Sequence, residues 1–366
     1  MTIKELAYSA QQNLESITAC SFKRAHIYEL LAALFGFKSY AALCSDSVFT
    51  QREKSKVIPD EYRTIFQQRV VELGYDPSIT DTTASTFISF VEEKHIDVLA
   101  VTDLVDGLSD DESYMEEFWT SPNSGEYPPI LLESLEAKAS RGDHLAHFAL
   151  ALLHRPDDDE GSQGGSGEYW YSQEKQGREL TGVEKEWADQ YARLLKKTEN
   201  YTFHLREAGR LGNTSALLAL AELFHDPSYL DAINMHGISD DPIRVAEVAE
   251  TLGRMEDAVH WLNVAAEAGD TDAMRRLIVE FERGDVQQSW MWFYLAEMLG
   301  TNLTESHLQA FHDGGQYADE IYDDDVGGPL YAAGDEGVDL KSLSEEGKRE
   351  ARKQAEAIFE RIQQSE

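Results

Sequence analysis

Cysteine is scarce in this chain: two residues in 366, Cys20 and Cys44. Two thiols in apolar helical contexts make neither a disulfide framework nor a thiolate cage for a metal, and both are expected as buried thiols. Basic residues are also in short supply, with 32 Lys and Arg against 68 Asp and Glu and a net charge of −36. That deficit argues against a nucleic-acid backbone or an anionic membrane surface as partner, because both would be repelled. It is compatible with a basic protein partner, or with solubility alone. Long apolar runs are missing too. Nothing approaches the roughly 20 residues of a membrane span. The N-terminal MTIKELAYSAQQNLESITA has helical amphipathic spacing and lacks the basic region and continuous apolar core of a signal peptide. A cytoplasmic location is expected. No nucleophile elbow, phosphate-cradling glycine loop or zincin motif occurs, so no catalytic, cofactor-binding or metal-ligating residue is assigned and no cofactor is expected. With 42% hydrophobic and 10% aromatic residues, the chain can nonetheless bury a substantial core.

What the chain does contain is a repeated short pattern. KASRGDHLAHFALALL (138–153), AGRLGNTSALLALAELF (208–224) and AAEAGDTDAMRRLIVEF (265–281) align at Gly142, Gly212 and Gly269. A weaker copy, AEMLGTN, surrounds Gly300. In the three clear copies Asp143, Asn213 or Asp270 follows the Gly. Ala146, Ala216 or Ala273 lies four residues after the Gly, and Leu150, Leu220 or Leu277 four further on. A glycine closing an apolar-periodic run is the usual left-handed residue beyond a helix C-terminus. An Asp or Asn after it is a good N-cap for the next helix. The pattern therefore predicts antiparallel helix pairs, with the alanine permitting close approach.

These residues resemble the Sel1-like repeat, a relative of the tetratricopeptide repeat with the approximate pattern A-x-x-W-x-x-x-A-A-x-x-G-x-x-x-A-x-x-x-L. The segment 258–277 fits through Ala258, Trp261, Ala265, Ala266, Gly269, Ala273 and Leu277. The copy at 208–224 lacks the Trp, and the first copy has Lys138 where an alanine belongs. Gly-to-Gly spacings of 70, 57 and 31 residues depart from a family period in the middle thirties, so insertions interrupt the copies. The resemblance covers about 130–311. It implies an all-α protein, a degenerate α-solenoid of antiparallel helix pairs, whose role would be to scaffold complexes. Separately, ELLAALFGFKSYAAL near the N-terminus resembles a short helical segment of some bacterial glyoxalase-related proteins and carries no catalytic residue.

Three regions are expected. An N-terminal helical domain occupies 1–120, with an apolar stripe at Ala25, Leu30, Leu31, Leu34 and Phe35 ending at Gly36. Residues 83–105 contain β-branched residues that could include a strand, but read as mostly helical. The turn-rich SPNSGEYPP (121–129) is the boundary, and Pro129 opens the first helix of the repeat region at its N1 position. The repeat region covers 129–311, interrupted by a flexible acidic Gly/Ser-rich insertion at 155–168. A long helix within 183–199 leads into the second copy. The remainder, 312–366, is an irregular acidic segment followed by a terminal helix with capping-box spacing at Ser342 and Glu345. That helix should bury Ala351, Ala355, Ile358, Phe359 and Ile362 and so close the end of the solenoid.

Candidate site residues follow from exposure and charge. Trp261 occupies a packing position of the repeat and belongs to the core. Trp290 and Phe293, at i, i+3, should face inward together, which leaves Trp292 as the more exposed aromatic and a possible partner-binding anchor. Segment 317–340 holds eight acidic and no basic residues. Its Asp323, Asp324 and Asp325 are possible partner-binding residues. As a cation site they lack the alternating ligands of an EF-hand. His144 and His147 share a helix face without an accompanying Glu-x-x-His or Cys cluster. The expected function is non-catalytic protein binding, as an adaptor or scaffold or as an immunity-type inhibitor of a basic protein. A divalent-cation-binding protein or hydrolase using the acidic tail is the alternative from another class. The oligomeric state is open.

Overall fold

The computed structural model describes residues 1–52, 58–110, 127–156, 164–236, 241–281 and 285–365. The fold is mostly helical, as expected of an all-α chain, with two small antiparallel sheets among the described residues. It divides into two compact units, Met1–Leu220 and Ala221–Glu366. The turn-rich 121–129 stretch falls inside the first unit, and its residues 121–126 lie outside the described residues.

The first unit opens with α1 (Ile3–Thr18), which a capping box between Thr2 and Glu5 starts. Its inward face is Ile3, Leu6, Ala7, Ala10 and Leu14, the i, i+3, i+4 spacing of an amphipathic helix. Helices α2 (Arg24–Leu34), α3 (Tyr40–Asp46), α4 (Asp60–Glu72) and α5 (Thr80–Glu93) share one apolar core with it, built on Ile27, Leu30, Leu31, Leu34, Phe66 and Phe87. Ala25 is exposed, so the α2 stripe runs through Ile27 instead. The helical reading of 1–50 needs correction at its end, whereas 83–105 is mostly helical as expected and includes a strand. Strand β1 (Ser47–Gln51) pairs antiparallel with β2 (Ile96–Ala100), Ser47 opposite Ala100. Each run carries two β-branched residues, Val48 and Thr50 in one and Ile96 and Val98 in the other, which favour a strand once a partner strand is there. His95, in the left-handed region at φ 54°, breaks the chain out of α5 into the strand.

After α6 (Val101–Asp110), α7 begins at Pro129 and ends at Ala139, followed by α8 (His144–Leu153), α9 (Gly164–Lys175), α10 (Val183–Arg210) and α11 (Thr214–Phe224). Of the expected flexible insertion 155–168, residues 157–163 lie outside the described residues, and 164–168 are helical, as the first turns of α9. Gly167 belongs there because α9 packs closely on α10. A Cβ would sit 3.0 Å from the Trp187 carbonyl and the Tyr191 side chain. Helix α10 also runs past the expected end at 199, through 28 residues, and itself supplies the first helix of the second repeat copy.

The second unit contains α12 (Ser228–His236), α13 (Pro242–Thr251), α14 (Met255–Glu267) and α15 (Thr271–Arg276), the last continued by a π-helical turn over Leu277–Phe281. Then come α16 (Val286–Met298), strands β3 (Gln309–His312) and β4 (Leu330–Ala333), and α17 (Glu345–Ser365). α17 packs on α16, burying Ala351, Ala355 and Ile358, with Phe359 and Ile362 half-buried. Its cap is Ser344, whose hydroxyl accepts the Gly347 N–H at 3.1 Å, and not Ser342. The capping-box spacing at Ser342 is real in sequence, but the helix starts too late to use it.

The repeated Gly-Asp/Asn motif has one geometry in all three clear copies. Gly142, Gly212 and Gly269 take φ of 85°, 94° and 107°. The next residue's N–H reaches back to the carbonyl of Lys138, Ala208 or Ala265, the long bond of a Schellman cap. The Asp143, Asn213 and Asp270 side chains then accept the N–H of Ala146, Ala216 and Ala273 at 3.0, 2.8 and 2.8 Å. All three alanines are fully buried. Gly300 ends α16 with the same cap, Thr301 N–H to Ala296 carbonyl at 2.9 Å, but no helix follows it.

Candidate functional site

Segment 306–341 of the second unit is irregular between its strands but tightly built. β3 pairs with β4 on one side, Phe311 opposite Tyr331. On its other side Phe311 bridges to Ile321. The expectation of a wholly irregular 317–340 therefore fails at β4, where Leu330–Ala333 form strand. His312 is buried at the centre, with its ring 4.8 Å from that of Tyr322. Its Nε2 accepts the Asp323 N–H at 3.1 Å, so that nitrogen carries no proton. Asp323 turns the chain: its Oδ1 accepts the Asp325 N–H at 2.9 Å and its carbonyl accepts those of Val326 and Gly327, both at 3.1 Å. Tyr331 donates its hydroxyl to Asp319 Oδ1 at 2.7 Å, which pushes the phenol up.

A strap over 335–341 ties this module to the helices beside it. Arg275 Nη1 donates to the Glu336 carbonyl at 2.8 Å, the Val338 N–H to the Leu303 carbonyl at 2.8 Å, and Trp290 Nε1 to the Lys341 carbonyl at 2.8 Å. Gly334 and Gly337 lie so close to the carbonyls of His307 and Thr304 that a Cβ would overlap them. Under the strap is a cavity of about 500 Å³ whose lining includes Arg275, Arg276, Ser289, Val338 and Lys341.

Asp323, Asp324 and Asp325 are all exposed. Asp323 spends one carboxylate oxygen on the turn. Among the described residues no group of three or more His, Cys, Asp or Glu is placed to hold a metal ion. The module is also apolar on its surface. Leu308, Tyr317, Ile321, Val326, Leu330 and Tyr331 are all exposed, Ile321 at 67% and Leu330 at 50%. This mixture of carboxylates and uncovered apolar side chains is what sequence reading missed. The signal was present as Ile, Val, Leu and Tyr scattered through the acidic run.

Trp292 is a correction. It was expected as the exposed aromatic and is buried, at 1%. Its side chain has no surface to offer a partner in this conformation. Trp290, Phe293 and Tyr294 are half-exposed, and α17 reaches the first and last of them, with the Lys348 ammonium 5.1 Å from the Trp290 ring centre and the Arg352 guanidinium 5.7 Å from that of Tyr294. The inversion arises because α16 has apolar residues on both faces. Periodicity alone could not say which face met the helical core and which met the terminal helix. Trp261, at 7%, is core as expected.

In the first unit the histidines regroup. His144 Nδ1 lies 3.3 Å from the Asn213 amide, and His147 Nδ1 lies 3.0 Å from Nδ1 of His204, which α10 supplies. The i, i+3 pair thus diverges, and the true neighbour of His147 comes from a distant stretch of chain. His154 stacks on His204 with ring centres 6.2 Å apart. Burial, followed by the charges His147 and His154 would carry, lowers His204 to about 4. Burial and then Lys197 and Lys196 lower His154. The short Nδ1–Nδ1 contact requires one ring to donate and the other to accept, and the lowering of His204 fits it as the neutral partner.

Cys20 and Cys44 are free and half-buried. No helix of the described residues is long and apolar enough to cross a membrane. Comparison with protein-family models, with curated proteins and with solved structures finds no match.

Proposed function

We propose that this chain is a non-catalytic protein-binding module, an adaptor or scaffold of the cytoplasm, whose acidic module at 306–341 receives a basic partner. The observation that carries the reading is the exposed Asp323–Asp325 turn, which backbone hydrogen bonds and the buried His312 fix in place rather than leave as a tail. A fixed acidic patch with apolar side chains between its carboxylates suits a protein surface. Charge selects and speeds the encounter, and buried apolar area holds the complex. The three capped helix pairs support a degenerate Sel1-like solenoid as the frame, and scaffolding is what that resemblance implies. An immunity-type inhibitor of a basic toxin or enzyme differs from this reading only in the partner's identity.

The test is affinity purification at moderate salt with the wild-type chain and with the combination Asp323→Asn, Asp324→Lys, Asp325→Lys. Asparagine keeps the acceptor that the turn needs. A basic protein recovered by the wild type and lost with the variant is expected. Recovery of the same protein by both, or of none by either, counts against the reading.

A further inference from the structure

We propose that β4 is a docking edge, and that an extended segment of the partner with alternating basic and apolar residues adds to it as a third main strand. This deepens the proposed function and rests on it. The hydrogen-bond pattern of β3 decides which edge is open. His312 N–H donates to the Glu320 carbonyl at 2.9 Å, Asp319 N–H to the His312 carbonyl at 3.1 Å, and Tyr322 N–H to the Ala310 carbonyl at 2.8 Å. The even residues of β3 therefore bond away from β4. Gln309 and Phe311 face their partners Ala333 and Tyr331. In an antiparallel ladder the alternate residues point their N–H and C=O the other way. Leu330 and Ala332 thus direct theirs outward, and among the described residues no strand pairs with that edge.

All four β4 residues are exposed and none is charged. Natural sheets usually blunt such an edge with a lysine, a proline or a bulge. This edge has none of these within the strand, and an added strand is the structure that satisfies its outward groups. Charge names the occupant. Asp319, Glu320, Asp323, Asp324 and Asp325 precede the strand, Asp335 and Glu336 follow it, and 317–340 has no basic residue. Side chains of an added strand alternate between faces. Apolar ones would meet the stacked Phe311 and Tyr331 rings, 5.7 Å apart, and basic ones would reach the carboxylates around them. A second copy is a poor occupant, because it would bring the same carboxylates against the first.

The test uses a fluorescein-labelled peptide of about eight alternating Lys and Val residues in anisotropy titrations at about 50 mM and about 300 mM salt. Ala332→Pro removes an outward N–H that the β3–β4 ladder does not use, a change that an edge strand tolerates. We expect Ala332→Pro to weaken binding at least about tenfold, with the circular dichroism unchanged. A peptide N-methylated at alternate residues should lose at least as much against the wild-type chain, a readout that needs no protein variant. If binding ignores both changes yet falls with Asp324→Lys and Asp325→Lys, strand addition is overturned while the charge-based function stands. Absence of binding at low salt also overturns strand addition, and the purification experiment then decides the function separately. Dimerisation by sedimentation that Ala332→Pro abolishes would assign the edge to a second copy and overturn the partner named here.

Discussion

Lys138 is the residue by which the first repeat copy departs from the pattern, and it should be one of the most costly to change. Its side chain is 6% exposed. The ammonium lies 3.0 Å from Asp143 Oδ2 and 3.1 Å from the Cys44 carbonyl, and it also donates to the Ser45 carbonyl. It therefore pairs with the N-cap of α8 and satisfies carbonyls at the C-terminal end of α3 at once. Replacing it with Met keeps the apolar stem but strips three acceptors of their donor. Removing one partner of a buried ion pair costs about 3–5 kcal/mol. The Asp143 side chain is 29% exposed, so water can partly replace the ammonium there. We expect about 2–3 kcal/mol, a fall in melting temperature of about 5–10 °C for a unit of this size.

Urea denaturation of Lys138→Met, Asp143→Asn and the double variant measures it. Asparagine retains the cap, as Asn213 does at 2.8 Å in the second copy, and removes only the charge. A coupling of about 1–2 kcal/mol between the two sites is expected. Burial pushes the Asp143 carboxyl up, but the Ala146 N–H, the Lys138 hydrogen bond and charge, and His144 together hold it below its ordinary value. Its folded value being depressed, its contribution is complete above the unfolded carboxylate range and is lost as pH falls through the folded value. Lys138→Met should shrink that acid-side loss. A change below about 0.5 kcal/mol with no coupling would refute the reasoning, since it would place Lys138 among solvated surface residues.

Two further outcomes follow from the same geometry. Because His204 is lowered from 6.5 to about 4, the unfolded chain takes up that proton first, and the first unit should lose stability as pH falls across that window. His204→Phe should flatten this part of the pH profile of the melting temperature, and an unchanged slope would contradict the lowering of His204. Trp292→Ala should destabilise the second unit by about 3–5 kcal/mol in chemical denaturation, as for a buried aromatic. A cost under about 1 kcal/mol would return Trp292 to the surface.

The helix pairs were legible because their signals are local. A glycine that must enter the left-handed region and an Asx that must cap the next helix act within six residues, and Gly142–Asp143, Gly212–Asn213 and Gly269–Asp270 each do so. Of the first sheet, β2 was legible only as a strand that the β-branched residues of 83–105 allowed, and β1 not at all, because the two become strands only by finding each other across 44 residues of chain between them, from 52 to 95. The side of α16 that faces the helices, the meeting of His147 with His204, and the open edge of β4 were likewise settled only in three dimensions. Each depends on what a distant segment does with a shared surface, and no period within one helix or strand records that. By itself, then, the sequence determined where helices end and restart and how much negative charge the chain carries. Tertiary packing decided which aromatic rings are covered, and turned an acidic run from an expected loose tail into a fixed turn beside an unoccupied strand edge.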